Sequence, residues 1–123
     1  MNPERFPRAA RLLRRADFDQ VYRQGRKHFA GHMTVFFRRR DGAGGPRVGF
    51  TVGRALGGAV TRNRLRRRLR EAVRRRLERL DAPVDLVIHP KRSALDLEFT
   101  LLLGEVEGAF DAIHKLTRQP TET

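Results

Sequence analysis

The chain has 123 residues, no cysteine, a formal net charge of +13 and an isoelectric point near 11.7. That length suffices for one domain with one modest core. The missing cysteine excludes disulfides and thiolate metal sites. No apolar run approaches the ~18 residues of a membrane-spanning helix, and the basic N-terminus lacks the apolar stretch of a signal peptide, so a cytoplasmic protein without membrane contact is expected. The charge is segregated: residues 1–80 carry all of the net positive charge, and residues 81–123 sum to −4. A generic basic coat would not divide this way.

In chain order, residues 1–10 hold two prolines and little periodicity, which predicts an extended or mobile arm. Phe18, Val21 and Tyr22 fall at i, i+3 and i+4 on a short helix that Asp17 could cap and Gly25 stops. Residues 26–32 read as a loop or one more short strand. Met33 to Arg40 then alternates, with Val35 and Phe37 facing one way and Thr34 and Phe36 the other. Arg47 to Gly53 alternates again, with Val48, Phe50 and Val52 opposite Gly49, Thr51 and Gly53. The breaker-rich run from Asp41 to Pro46 between them predicts an antiparallel hairpin.

The segment from about 61 to 80 predicts a helix with two jobs. Leu65, Leu69, Val73, Leu77 and Leu80 make an apolar stripe that needs a core. Ten arginines against two glutamates occupy residues 61–80, and one-sided charge of that density calls for a polyanion. Arginine outnumbers lysine 24 to 3; its planar fork pairs bidentately with phosphate, although an arginine-rich codon bias explains the ratio as cheaply. Val84 to His89 is a short apolar strand closed by Pro90. A last helix, capped by Ser93 or Asp96, carries the stripe Phe99, Leu102, Leu103, Val106, Phe110, Ile113 and Leu116, and residues 118–123 form a second mobile tail. Helices and strands in this order predict a small α+β two-layer sandwich on a mainly antiparallel sheet. The whole chain, 1–123, is expected to be a single RNA-binding domain.

Catalytic side chains are hard to find. Ser93 is the only serine, and no nucleophile motif surrounds it. His28 and His32 have helical ligand spacing but sit in a loop-like stretch beside Gly31 without a glutamate partner. His89 reads as an edge residue or a phosphate neighbour. Asp17 with Asp19, and Glu105 with Glu107, stand at i, i+2 on helices and point apart, so a two-metal nuclease centre has no convergent carboxylates. No catalytic residue and no metal ligand is assigned. If the protein takes part in an RNA reaction, another component performs the chemistry.

The run Val48-Gly49-Phe50-Thr51-Val52, then Gly57, Ala59-Val60 and Arg62-Asn63-Arg64-Leu65-Arg66-Arg67, closely resembles the signature of the bacterial ribonuclease P protein subunit. Leu12 to Gly25 and Val84 to Ile88 resemble that family's first helix and fourth strand, and the resemblance spans roughly residues 10 to 116. It implies a fold similar to the second domain of ribosomal protein S5, with about three helices and a left-handed βαβ crossover through the arginine-rich helix, against the usual right-handed rule. It implies a protein cofactor that joins a catalytic RNA and helps remove the 5′ leader of precursor tRNA, the Mg²⁺-requiring RNA cutting the phosphodiester. The matching positions are Arg62, Asn63, Arg64, Arg66, Arg67 and Arg70 for the catalytic RNA. Phe18, Tyr22 and Phe36 match the cleft that holds the single-stranded leader, where bases stack on aromatic rings without regard to sequence. The other reading of Phe18 and Tyr22 is that they are core residues of a short helix. Gly53-Arg54-Ala55 stands where the family often has Ser-Lys-Lys, so only Arg54 is carried over there, and Arg68 replaces a residue that is often apolar. Charge and fold class would equally serve a structural rRNA-binding ribosomal protein or a general RNA chaperone.

Overall fold

The computed structural model describes residues 6–118. Helix α1 spans Arg15–Gln24, strands β1, β2 and β3 span Arg26–Phe29, Met33–Arg39 and Arg47–Phe50, helix α2 spans Ala59–Arg76, strand β4 spans Val84–Pro90 and helix α3 spans Phe99–Arg118. The strands form one sheet in the order β1-β2-β4-β3. β4 is antiparallel to β2, with Val35 opposite Ile88, and parallel to β3, with Val48 opposite Leu86. The α+β class and the mainly antiparallel sheet stand as expected.

The predicted β2–β3 hairpin does not form, because β4 lies between the two strands. The physical reason is the composition of β4. From Val84 to Ile88 every residue is buried, so this strand needs cover on both faces and a neighbour on both edges. The glycine-rich segment 41–46 therefore spans a strand instead of turning tightly.

One face of the sheet carries the main core. Met33, Val35, Phe37, Val48, Leu86 and Ile88 pack with Leu65, Leu69 and Val73 of α2 and with Leu102, Val106, Phe110 and Ile113 of α3. The opposite face is covered by α1 through Val21, which packs with Leu12, Val87 and the half-buried Phe18 and Phe36. Helices thus lie on both faces, and α1 adds a partial third layer.

Four local expectations are corrected. The mobile arm is, over residues 6–10, a packed strap: Phe6 and Ala10 are buried, and Leu12 N–H bonds the Val48 carbonyl at 3.0 Å. The remainder of that arm, residues 1–5, and residues 119–123 of the predicted tail lie outside the described residues. Asp17 sits in the first turn of α1, where Arg14 is the capping position. Neither Ser93 nor Asp96 caps α3. The Glu98 carbonyl accepts from Leu101 and Leu102 at 3.0 Å each and so marks the start of that helix, while Ser93 Oγ bonds His32 Nδ1 at 2.8 Å. The α3 stripe is also displaced at its end, with Thr117 buried and Leu116 exposed.

Candidate nucleic-acid interface

The arginine-rich helix begins after Gly57, whose φ of 136° is a conformation open to glycine and strained for other residues. Gly58 caps α2 with no side-chain hydrogen bond, and no acidic residue occupies the first turn. The free N–H groups of that turn therefore add partial positive charge to the arginines. Leu65, Leu69, Ala72 and Val73 face the core, which turns the opposite side of the helix to solvent.

The two halves of α2 differ in electrostatics. In the C-terminal half the cations have anionic partners. Glu71 receives Arg74 and Arg75 at 2.7 Å each. Arg76 meets Glu107 of α3 at 2.7 Å, and Arg79, in the 3₁₀ turn that follows α2, meets Asp111 at 3.1 Å. Hydrogen bonds from Arg74 and then Arg75 hold the pKa of the Glu71 carboxyl down at about 2, and the Asp111 hydrogen bond raises Arg79 above its ordinary value. In the N-terminal half, among the described residues, no carboxylate pairs with Arg62, Arg64, Arg66, Arg67 or Arg70. The acidic C-terminal third thus neutralises one end of the helix and leaves the other cationic.

The sequence-predicted residues divide by role. Arg64, Arg67 and Arg70 are exposed. Arg66 donates to Asn63 Oδ1 at 2.7 Å, so Asn63 orients its neighbour. Arg62 is half-buried and bonds the Gly57 carbonyl at 3.1 Å, which braces the loop entering the helix. Arg68 donates to the Leu97 carbonyl and belongs to the packing against the start of α3. Asn63, Arg66, Arg67 and Arg70 form one wall of a groove of about 750 Å³ whose other wall is Phe6 and Arg11 of the strap. Arg11 had no pattern to reveal it. Its place comes from bonds to the Phe6 carbonyl at 3.1 and 2.7 Å.

A cluster of aromatic rings lies on the α1 side of the sheet. Tyr22 meets Phe36 edge-on with centroids 5.2 Å apart, and the Lys27 ammonium lies 5.4 Å from the Phe36 centroid. The Tyr22 hydroxyl is 2.7 Å from both Thr51 Oγ1 and His89 Nε2. The His89 ring is 4.8 Å from Phe36, and burial pushes its titration below the ordinary histidine value. Phe18 stands apart from this group. It packs on Leu12, Val21 and Val87 and lies over Gly49, where an added Cβ would come within 2.5 Å of its ring. Tyr22 is exposed, as is Phe29, which pairs with Thr34 on the strand next to His89. Arg54 lies exposed in a 3₁₀ turn, Arg54–Leu56, beyond β3. From sequence, His89 read as an edge residue or a phosphate neighbour and Thr51 as a small residue on the open strand face, while Lys27 and Phe29 were not singled out; strand register brings the four near Phe36.

A small α+β sheet with arginines that lack carboxylate partners, beside a cluster of aromatic rings, points to the RNA-binding class of proteins. The model of the family described as Ribonuclease P matches residues 6–114. The Ribonuclease P protein component of Symbiobacterium thermophilum is 42% identical over 113 residues, covering 91% of this chain and 97% of that protein. The one from Geobacter sp. (strain M21) is 38% identical over 115 residues, 94% and 97% of the two chains. The solved RNase P protein of Thermotoga maritima is 26% identical and superposes with a TM-score of 0.75, covering 83% of this chain and 96% of that one. The Staphylococcus aureus RNase P protein, 24% identical with a TM-score of 0.76 over 89% and 99%, shares the fold. The chain belongs to the ribonuclease P protein family, whose place in a tRNA-processing ribonuclease implies an RNA partner. Among the described residues no helix is long and apolar enough to cross a membrane.

Proposed function

We propose that this chain is the protein cofactor of ribonuclease P, binding the catalytic RNA through the N-terminal half of α2 and the 5′ leader of precursor tRNA in the Tyr22–Phe36 cleft. The observation that carries the reading is the segregated charge of α2. A helix stabilised only for folding would neutralise its arginines evenly, whereas this one leaves Arg64, Arg67 and Arg70 for a polyanion. Phosphate contacts of this kind fix position without reading sequence. The exposed rings accept unpaired bases of any identity, at about 1–3 kcal/mol per base, which suits an enzyme that meets many precursors. Arg54 at the end of β3 adds charge beyond the rings. Phe18 supports the cleft from beneath, as its packing on Gly49 indicates.

The phosphodiester chemistry is assigned to the RNA and its Mg²⁺. Asp85, Glu71, Glu107 and Asp111 each face an arginine. Their negative charge serves to neutralise cations within the protein.

The test is cleavage of a 5′-extended precursor tRNA by the cognate catalytic RNA at low Mg²⁺, with and without stoichiometric protein. Stimulation with RNA present, and no cleavage by protein alone, is the expected outcome. Folded protein that gives no stimulation would overturn the cofactor reading in favour of a generic rRNA anchor.

A further inference from the structure

His89 sits opposite Thr34 in the sheet register and projects on the α1 side with Phe36 and Tyr22. Its Nε2 is engaged by the Tyr22 hydroxyl, which also contacts Thr51 Oγ1. Its Nδ1 has no protein partner among the described residues. The chain of contacts selects a tautomer. A phenol is a better donor than an aliphatic hydroxyl, and an imidazole nitrogen is a better acceptor than a threonine oxygen. The Thr51 hydroxyl therefore donates to the Tyr22 oxygen and Tyr22 donates to Nε2, which leaves the proton of the neutral ring on Nδ1. Stacking on the three rings is blind to base identity. A fixed donor beside the stack is not, because purines and pyrimidines place their acceptor atoms at different distances from it.

We propose that His89 is a specificity-determining contact for the leader, its Nδ1–H donating to a carbonyl oxygen or ring nitrogen of the base that stacks against Phe36 and Tyr22. Tyr22 and Thr51 act through it as positioning residues. This rests on the leader-cleft reading above.

Two substitutions separate the two ring nitrogens. His89→Gln places an amide near Nε2, keeps a partner for Tyr22 and loses the donor at Nδ1. His89→Asn places an amide nitrogen near Nδ1 and gives up the Tyr22 bond. In the reconstituted holoenzyme, His89→Gln is expected to weaken precursor tRNA binding about fivefold, the worth of one neutral hydrogen bond, with mature tRNA unchanged. His89→Asn keeps a donor without its Tyr22 brace, so it should weaken precursor tRNA binding less than His89→Gln does. An abasic nucleotide at the contacted leader position, located by shortening the leader one residue at a time, should erase the difference between His89→Gln and the parent. Thermal melts of each variant confirm the fold. Equal losses for Gln and Asn, equal weakening of mature tRNA, or a difference that survives the abasic nucleotide would each overturn the assignment. Tyr22→Ala and Phe36→Ala tell the two ideas apart. If they discriminate leader from mature tRNA while His89→Gln is silent, His89 alone is wrong; if they too fail to discriminate, the cleft reading falls with it.

Discussion

Asp85 shows how one carboxylate holds three strands. It is buried within β4, and both of its oxygens receive Arg47 of β3 at 2.8 and 2.7 Å while Arg40, just past β2, reaches Oδ1 at 2.7 Å. The Asp85 hydrogen bond in turn raises the Arg47 pKa above its ordinary value. Arg40 also bonds the Gly45 carbonyl at 2.8 Å, so the same cluster tethers the loop that crosses β4. Breaking a buried pair costs ~3–5 kcal/mol when the surviving charge stays dry. Here Arg47 is 30% exposed and can rehydrate, so Asp85→Ala should cost about 2–3 kcal/mol in denaturant unfolding; a loss under ~1 kcal/mol would show that the cluster is a passive surface pair. At this scale the sequence was legible where alternation runs unbroken. Phe36 opposite Val35 and Phe37 was correct because β2 buries Met33, Val35 and Phe37 in strict period. The contact of His89 with Tyr22 escaped, since a lone histidine at a strand end carries no periodic signal and Tyr22 is 67 residues away.

Among the elements, α2 was the most legible and also the most incompletely read. Its stripe gave away the buried face, because Leu65, Leu69 and Val73 repeat at helical spacing. Its division into a neutralised and a cationic half was hidden, because Glu107 and Asp111 lie on α3, about thirty residues further along. That division makes a comparison possible. Replacing Arg64, Arg67 and Arg70 with alanine should weaken catalytic-RNA binding and flatten its log-log salt dependence by about 0.7–0.9 for each phosphate no longer neutralised. Replacing Arg75, Arg76 and Arg79 should leave the salt slope nearly unchanged and lower thermal stability instead. Equal slopes for the two triple variants would refute the division. Glu71 gives a matching pH effect. Its folded pKa is depressed from 4.5 to about 2, so its contribution is fully present above about pH 4.5 and is lost as pH falls toward 2. The site is near the surface, so the contribution stays below ~1 kcal/mol. Comparing the parent with Glu71→Gln by melts between pH 6 and pH 2 should show a gap that closes on acidification; a constant gap would place the effect elsewhere. The mistaken hairpin has the opposite lesson: two strands and a glycine-rich link satisfy every local rule, and only the need of β4 for neighbours on both edges separates them.

Across the whole molecule, the two surfaces use opposite sides of one sheet. α2 packs with the main core on one face, while Tyr22, Phe36 and His89 lie on the face that α1 partly covers. The strap from Phe6 to Leu12 connects them: Phe6 and Arg11 line the arginine groove, and Leu12 packs beneath Phe18. In the proposed role this arrangement lets one RNA be held on one side and a second strand on the other, with a rigid sheet fixing the distance between them. The family resemblance was legible across most of the chain and implied the βαβ connection from β3 through α2 to a parallel β4, but the insertion of β4 between β2 and β3 was not legible. The central position of β4 also bears on how the protein is made. Residues 1–80 carry all of the net positive charge, yet β2 and β3 have no shared edge until β4 is inserted between them. Because the chain is made from its N-terminus, the basic segments precede the strand whose insertion between β2 and β3 completes the sheet that positions them.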